Sequence, residues 1–172
     1  EFGIAAQGFM QSSTETRNGA QLDRETGTLP GLQFKATTMF DALGVEHLYF
    51  GLRYETDRGG LTYNGATLSG IPVNSTSNYE TNDVNVEIGK AFLLTDRLLL
   101  MPVLQGGWRG WKRDLNSFQV ENYSHSYIGA VLRGDFAITP RLVLTGKVVI
   151  AETLDPRMTA RAITAFGFPT MN

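Results

Sequence analysis

Apolar and polar residues alternate with a period of two along nearly the whole chain, and helical periodicity is almost absent. In the clearest stretch Leu48, Phe50, Leu52 and Tyr54 share one face of an extended strand. Tyr49, Gly51 and Arg53 lie on the other, with His47 and Glu55 outside. The segment before it places Leu32, Phe34, Ala36, Thr38 and Phe40 opposite Gln33, Lys35, Thr37 and Met39. The same reading sets Val84, Val86 and Ile88 against Asn85, Glu87 and Gly89, and Leu98, Leu100, Leu104 and Trp108 against Gln105, Gly107 and Arg109. Further on, Ile128, Ala130, Leu132 and Phe136 oppose Tyr127, Gly129, Arg133 and Asp135. Leu142, Leu144, Val148 and Ile150 oppose Val143, Thr145 and Lys147. Weaker patterns at the ends set Phe2, Ile4, Ala6 and Met10 against Gln7 and Gln11, and Ala160, Ala162, Phe166 and Phe168 against Arg161, Ile163 and Gly167. The pattern predicts eight antiparallel strands in one domain over residues 1–172.

The connections alternate in length. Long polar ones are expected over Ser13–Thr28, Asp57–Asn78 and Lys112–Asn122, and short turns at Asp41–Gly44, Thr95–Arg97 and Thr139–Arg141. A fourth connection, Leu154–Arg157, is short but falls on the long side of the alternation. Tight turns at one end and long loops at the other are the mark of an up-and-down transmembrane barrel.

A soluble barrel also alternates, with its apolar face inward. Two features favour the inverted arrangement. Aromatic residues gather at two heights: Tyr54, Tyr79, Trp108, Trp111 and Tyr123 toward the long connections, and Phe2, Phe40, Phe92, Phe136 and Phe166 toward the short turns. Such levels match aromatic girdles at two lipid–water boundaries. The polar faces are rich in Gly, Thr, Gln and single charges, without the dense Lys/Glu cover of a soluble surface. Lys90 and Pro102 fit the apolar face poorly; Lys90 is expected to snorkel, and Pro102 to mark a bulge.

Composition narrows the alternatives. The 172 residues include no cysteine, which excludes disulfides and thiolate metal sites, and the scattered charges sum to -2, against a nucleic-acid partner. No apolar run approaches the roughly 20 residues of a spanning helix. The chain opens at Glu1-Phe2-Gly3 already in a strand pattern, as a processed mature form would.

Two short-turn stretches, Phe92-Leu93-Leu94-Thr95-Asp96-Arg97-Leu98 and Phe136-Ala137-Ile138-Thr139-Pro140-Arg141-Leu142, carry a family resemblance, together with Gly106-Gly107-Trp108-Arg109-Gly110-Trp111 and Phe166-Gly167-Phe168. In these the chain resembles the small outer-membrane barrels typified by the transmembrane domain of outer membrane protein A and its eight-stranded relatives. The likeness is one of pattern and covers nearly the whole chain. It implies a closed eight-stranded barrel in a bacterial outer membrane, crossing many times, with its long loops extracellular. Many such barrels end on an aromatic residue, whereas this chain runs past Phe168 to Pro169, Thr170, Met171 and Asn172.

The register directs Lys35, Arg53, Arg109, Arg133, Lys147 and Arg161 into the lumen, with Glu55, Glu87 and Asp135. Eight strands leave room for side chains and little else, so these charges are expected to pair and plug the lumen. Glu87 is the expected central anion, with Arg53 or Arg109 as its cation. At the outer rim Lys112 and Arg113 are candidates for contact with the phosphates of lipopolysaccharide. His125-Ser126, with Asp135 downstream, invites a hydrolase reading, but strand neighbours point to opposite faces and cannot form a nucleophile–base pair. The two histidines are far apart in the expected fold, so no metal and no cofactor are expected. The expectation is a non-enzymatic barrel whose partners are lipid, lipopolysaccharide and proteins met through its loops. The alternatives are a small gated, porin-like channel and, behind it, a lipid-modifying enzyme.

Overall fold

Asn18 and Gly19 both adopt positive φ, at 52° and 79°, as the two-residue turn of a tight hairpin requires. From that turn the chain zips into β1 (Phe2–Arg17) and β2 (Ala20–Ala42), paired without a loop from Arg17↔Ala20 down to Phe2↔Ala36. Leu43 and Gly44, also at positive φ, turn β2 into β3 (Val45–Ala66). β4 (Pro72–Lys90) and the four-residue β5 (Phe92–Thr95) lead to β6 (Leu98–Asn116), β7 (Gln119–Thr139) and β8 (Leu142–Ala162). The computed structural model describes residues 1–66, 71–116 and 119–162.

All eight strands form one antiparallel sheet in the order β1-β2-β3-β4-β6-β7-β8, with β5 on β6. The three short turns lie where the sequence predicts them. At two of them a threonine Oγ1 accepts backbone N–H groups, Thr95 from Arg97 and Leu98 and Thr139 from Arg141.

Three expectations are corrected. The segments Ser13–Thr28, Asp57–Asn78 and Lys112–Asn122 are mostly strand, because their Thr, Ser and Asn residues continue the alternation and pair across the hairpins. The connection at Leu154–Arg157 is a bulge inside β8: the register against β7 shifts between Ser124 and Ser126, and Asp155 takes a φ of 49°. The expected last strand therefore begins within β8, and its remainder lies outside the described residues. Pro102 causes no bulge in its own strand. The break falls on its partner, where the ladder to β6 stops at Gly89↔Val103 and resumes at Phe92↔Leu100, leaving Met101 and Pro102 unpaired on that side.

Because β4 and β5 continue in one direction, the described residues make seven long passes. The edge strands β1 and β8 therefore run the same way and do not pair with each other, so the sheet is open among the described residues. It is nonetheless strongly curled, since Gln7 on β1 donates to Asp57 on β3 across the intervening β2 (2.9 Å).

β2, β3 and β4 change their amphipathic sense midway. Near the short turns the convex face is apolar: Leu32, Phe34, Phe50, Leu52, Val86, Leu104, Ile128, Leu132 and Leu144 are all exposed. Near the long hairpins the sense reverses. Leu29 and Leu61 are fully buried on the concave side with Tyr79, and Thr28, Arg58, Thr62 and Asn64 face out. A second apolar cluster of Tyr49, Ala91, Met101, Val103 and Val131 closes the concave face near the short turns.

Candidate functional site

Rows of paired residues cross the concave face, and glycines decide which side chains meet. Gly31 stands between Gln7 and Asp57 in one row. A Cβ there would lie 2.4 Å from Thr56 O and 2.1 Å from Asp57 Oδ1, so only glycine leaves the space through which Gln7 and Asp57 bond. Thr81 donates to the other Asp57 oxygen (3.0 Å). Gly107 plays the same part between Asn85 and Tyr127. The Tyr127 ring covers it, and its hydroxyl meets Asn85 Nδ2 (3.0 Å) and Asp83 (3.1 Å).

Below these rows lies a cavity of about 320 Å³ lined by Lys35, Arg53, Glu87, Arg133 and Lys147 among others. Eight of the nine expected lumen charges do share the concave face. Arg53 contacts Glu55 (3.4 Å) and Asp83 (3.7 Å), and Arg133 contacts Asp135 (3.0 Å), which also accepts from Thr145. Two expectations fail. Glu87 pairs with neither Arg53 nor Arg109 but accepts a hydrogen bond from Tyr49 (3.0 Å), while Arg109 rests on the Phe9 ring (5.1 Å). Arg161 opposes Val120 on the convex side, because the bulge at Asp155 flips the parity of everything after it.

Above the rows, Glu25 is the hub. It is almost fully buried and accepts from Ser77 (2.6 Å) and Tyr79. Arg113 Nε lies 3.0 Å from Glu25 Oε2, and its Nη1 donates to Glu121 (2.9 Å). Tyr123 and Gln119 also donate to Glu121. Burial by itself would raise the Glu121 pKa, but these donors and the Arg113 charge hold it below the usual value. Burial and the bond to Glu121 push the Tyr123 hydroxyl up to about 12, and Tyr79 is raised by burial and its bond to Glu25.

This places three expected girdle residues, Tyr79, Trp111 and Tyr123, on the concave face. Trp111 is an odd-numbered neighbour of Arg109 and Arg113, three residues from the outward Trp108, so the two tryptophans face opposite ways. Phe40, Tyr54, Phe92, Trp108 and Phe136 are exposed on the convex face, while Phe166 lies outside the described residues. Lys90 Nζ lies over the Phe92 ring at 5.3 Å. Arg113 is turned inward and cannot meet lipopolysaccharide; Lys112 is outward and paired with Asp114 (3.0 Å).

A second cavity of about 530 Å³ sits between this cluster and β1. Trp111 stacks flat on Tyr123 at its wall (4.8 Å between ring centres, 4° between planes), and His125 meets the indole edge-on at 5.7 Å. His125 lines the cavity while Ser126 points to the other face. No three His, Asp or Glu converge as metal ligands among the described residues.

The residues that sequence reasoning missed, Asp23, Glu25, Asp57 and Glu121, all lie in segments expected to be loops. Asn18-Gly19 was the available signal, since that dipeptide favours a two-residue turn between paired strands.

No family model, curated protein or solved structure matches this chain.

Proposed function

We propose that the protein is an integral β-sheet protein of the bacterial outer membrane, non-enzymatic, whose apolar convex band lies in lipid and whose long hairpins project outside the cell. One observation carries this reading: the convex face of the lower strands is a continuous exposed apolar band, while above it the convex positions of β2, β3 and β4 carry Thr, Asn and Arg. From Leu98 to Trp108 the band covers about 33 Å of strand, which at tilts of 35–45° gives roughly 25 Å of height, as in transmembrane barrels. Phe40, Phe92 and Phe136 mark one border and Tyr54 and Trp108 the other. Among the described residues Lys90 and Glu152 are the only ionisable groups within the convex band, and Lys90 sits at its lower margin.

A membrane-embedded sheet must pair its edges, because lipid offers no hydrogen bonds. Among the described residues β1 and β8 run the same way and leave their outer edges unpaired. The two glycine-centred rows, which separate the cavities, favour a plugged lumen over a channel. Contact of Lys112 with lipopolysaccharide phosphates and hairpin contacts with other surface proteins belong to the same proposal.

The test places one arginine at two heights. Leu52→Arg, in the band, is expected to cost about 2–4 kcal/mol in lipid vesicles, and Thr62→Arg, above it, close to nothing. Urea titration of folded protein in vesicles reads both. Equal effects at the two sites, or full solubility of the wild-type monomer without detergent, would remove the membrane assignment.

A further inference from the structure

The cavity of about 530 Å³ near the long hairpins differs from the rest of the interior. Most concave polar groups are engaged with one another. Here the wall is aromatic, built by Trp111 flat on Tyr123 with His125 at its edge. Planar polar groups face into the same space: the guanidinium of Arg109, the amide of Gln11, and the carboxylates of Glu15 and Asp23. Arg109 forms no ion pair among the described residues and only rests on Phe9.

The charges decide what such a space suits. Arg113 is engaged by Glu25, Glu121 and, at 3.9 Å, Asp23, so around the lining the carboxylates Glu15, Asp23, Glu25 and Glu121 outnumber the guanidinium groups of Arg109 and Arg113. That excess disfavours an anion and supplies acceptors for hydroxyl donors. The lining offers donors and acceptors together, next to a ring face that attracts weakly positive C–H groups. The size lies within the roughly 300–1,000 Å³ of small-ligand sites and fits about one or two hexose rings.

We propose that this vestibule binds a neutral saccharide, with Trp111, Tyr123 and His125 as the ring-contacting wall and Arg109 and Asp23 as the hydroxyl-binding groups. The proposal does not rest on the membrane reading, since the concave face forms the site whatever covers the convex one. The chain has two tryptophans, and Trp108 faces away. In Trp108→Phe, Trp111 is therefore the sole indole reporter.

The experiment uses the full chain in a detergent without sugar headgroups. Trp111 fluorescence is titrated with glucose, galactose, N-acetylglucosamine and maltose, and with sodium sulfate and choline as charged probes. A saturable change with at least one neutral sugar is expected, weakened at least about tenfold by Arg109→Gln or Asp23→Asn, as loss of one charged hydrogen bond implies. Calorimetry on the wild type gives the same answer independently of either variant. No saturable response to any neutral sugar overturns the proposal. So does stronger binding of sulfate or choline, which would reassign the vestibule to an ionic ligand.

Discussion

The two halves of β2, β3 and β4 solve opposite problems with one backbone. Toward the long hairpins, β2, β3 and β4 bury Leu29, Leu61 and Tyr79 and turn threonine, asparagine and arginine outward. Toward the short turns the same strands expose Leu32, Leu52 and Val86 and turn lysine, arginine and glutamate inward. The inside also differs. In the upper half, buried charges are clamped: Arg113 contacts Glu25 and Glu121 at 3.0 Å and 2.9 Å. In the lower half the pairs are more exposed, as Arg53 with Glu55 and Asp83 and Arg133 with Asp135 show. The upper half therefore centres on one tightly buried ion cluster, and the lower half combines more exposed ion pairs with the apolar cluster around Met101 and Val131. Stability should be far more sensitive to single charges above than below.

The sharpest break of that contrast is Arg113→Ala. It leaves Glu25 and Glu121 buried without their cation and should cost about 3–5 kcal/mol. Lys112→Ala, one residue away on the outer face, should stay within about 0.5 kcal/mol. Urea unfolding followed by circular dichroism compares the two, and similar costs would dissolve the distinction between faces.

Next in size are the glycine rows. Gly31→Ala meets a backbone carbonyl at 2.4 Å and should cost about 1–3 kcal/mol, while Gly146→Ala, with nothing within 4 Å, should be close to neutral. The same unfolding assay reads this pair.

The smallest effect is on pH dependence. Tyr123 and Tyr79 have raised pKa values in the fold, so their contribution is complete below pH 10 and is lost as pH rises from there toward about 12. Glu121 has a lowered value, so its contribution is present above the ordinary 4.5 and is lost as pH falls through its depressed value. Melting temperatures across pH should fall at both extremes. In Tyr123→Phe the alkaline fall should shrink, and an unchanged alkaline limb would separate that tyrosine from stability.

Much of the sheet was legible because the lower half repeats a strict alternation between turns of recognisable chemistry. The segment from Leu48 to Tyr54 needs only the period of two to place Arg53 inside and Leu52 outside. The upper half was harder for a physical reason: Thr, Ser, Asn and Gly look alike in a loop and on the outer face of a hydrated hairpin. Only the inward partners, such as Glu25 with Tyr79, show that these residues are paired strand, and such partners lie 54 positions apart. Parity arguments also fail beyond any bulge. Arg161 was misplaced because Asp155-Pro156, a turn signal, marks a bulge inside one strand where a connection between two strands was expected.

The order of strands has a consequence for how the molecule forms. Apart from the interruption at β5, every strand pairs with its neighbours in sequence. The chain can therefore zip one hairpin at a time from its tight turns, each step closing a short loop with little entropic cost. Contacts that bridge across an intervening strand, such as Gln7 with Asp57 over Gly31, can form only once three strands are in place. They should act as late locks: variants at Gly31 should speed unfolding and leave the folding rate almost unchanged.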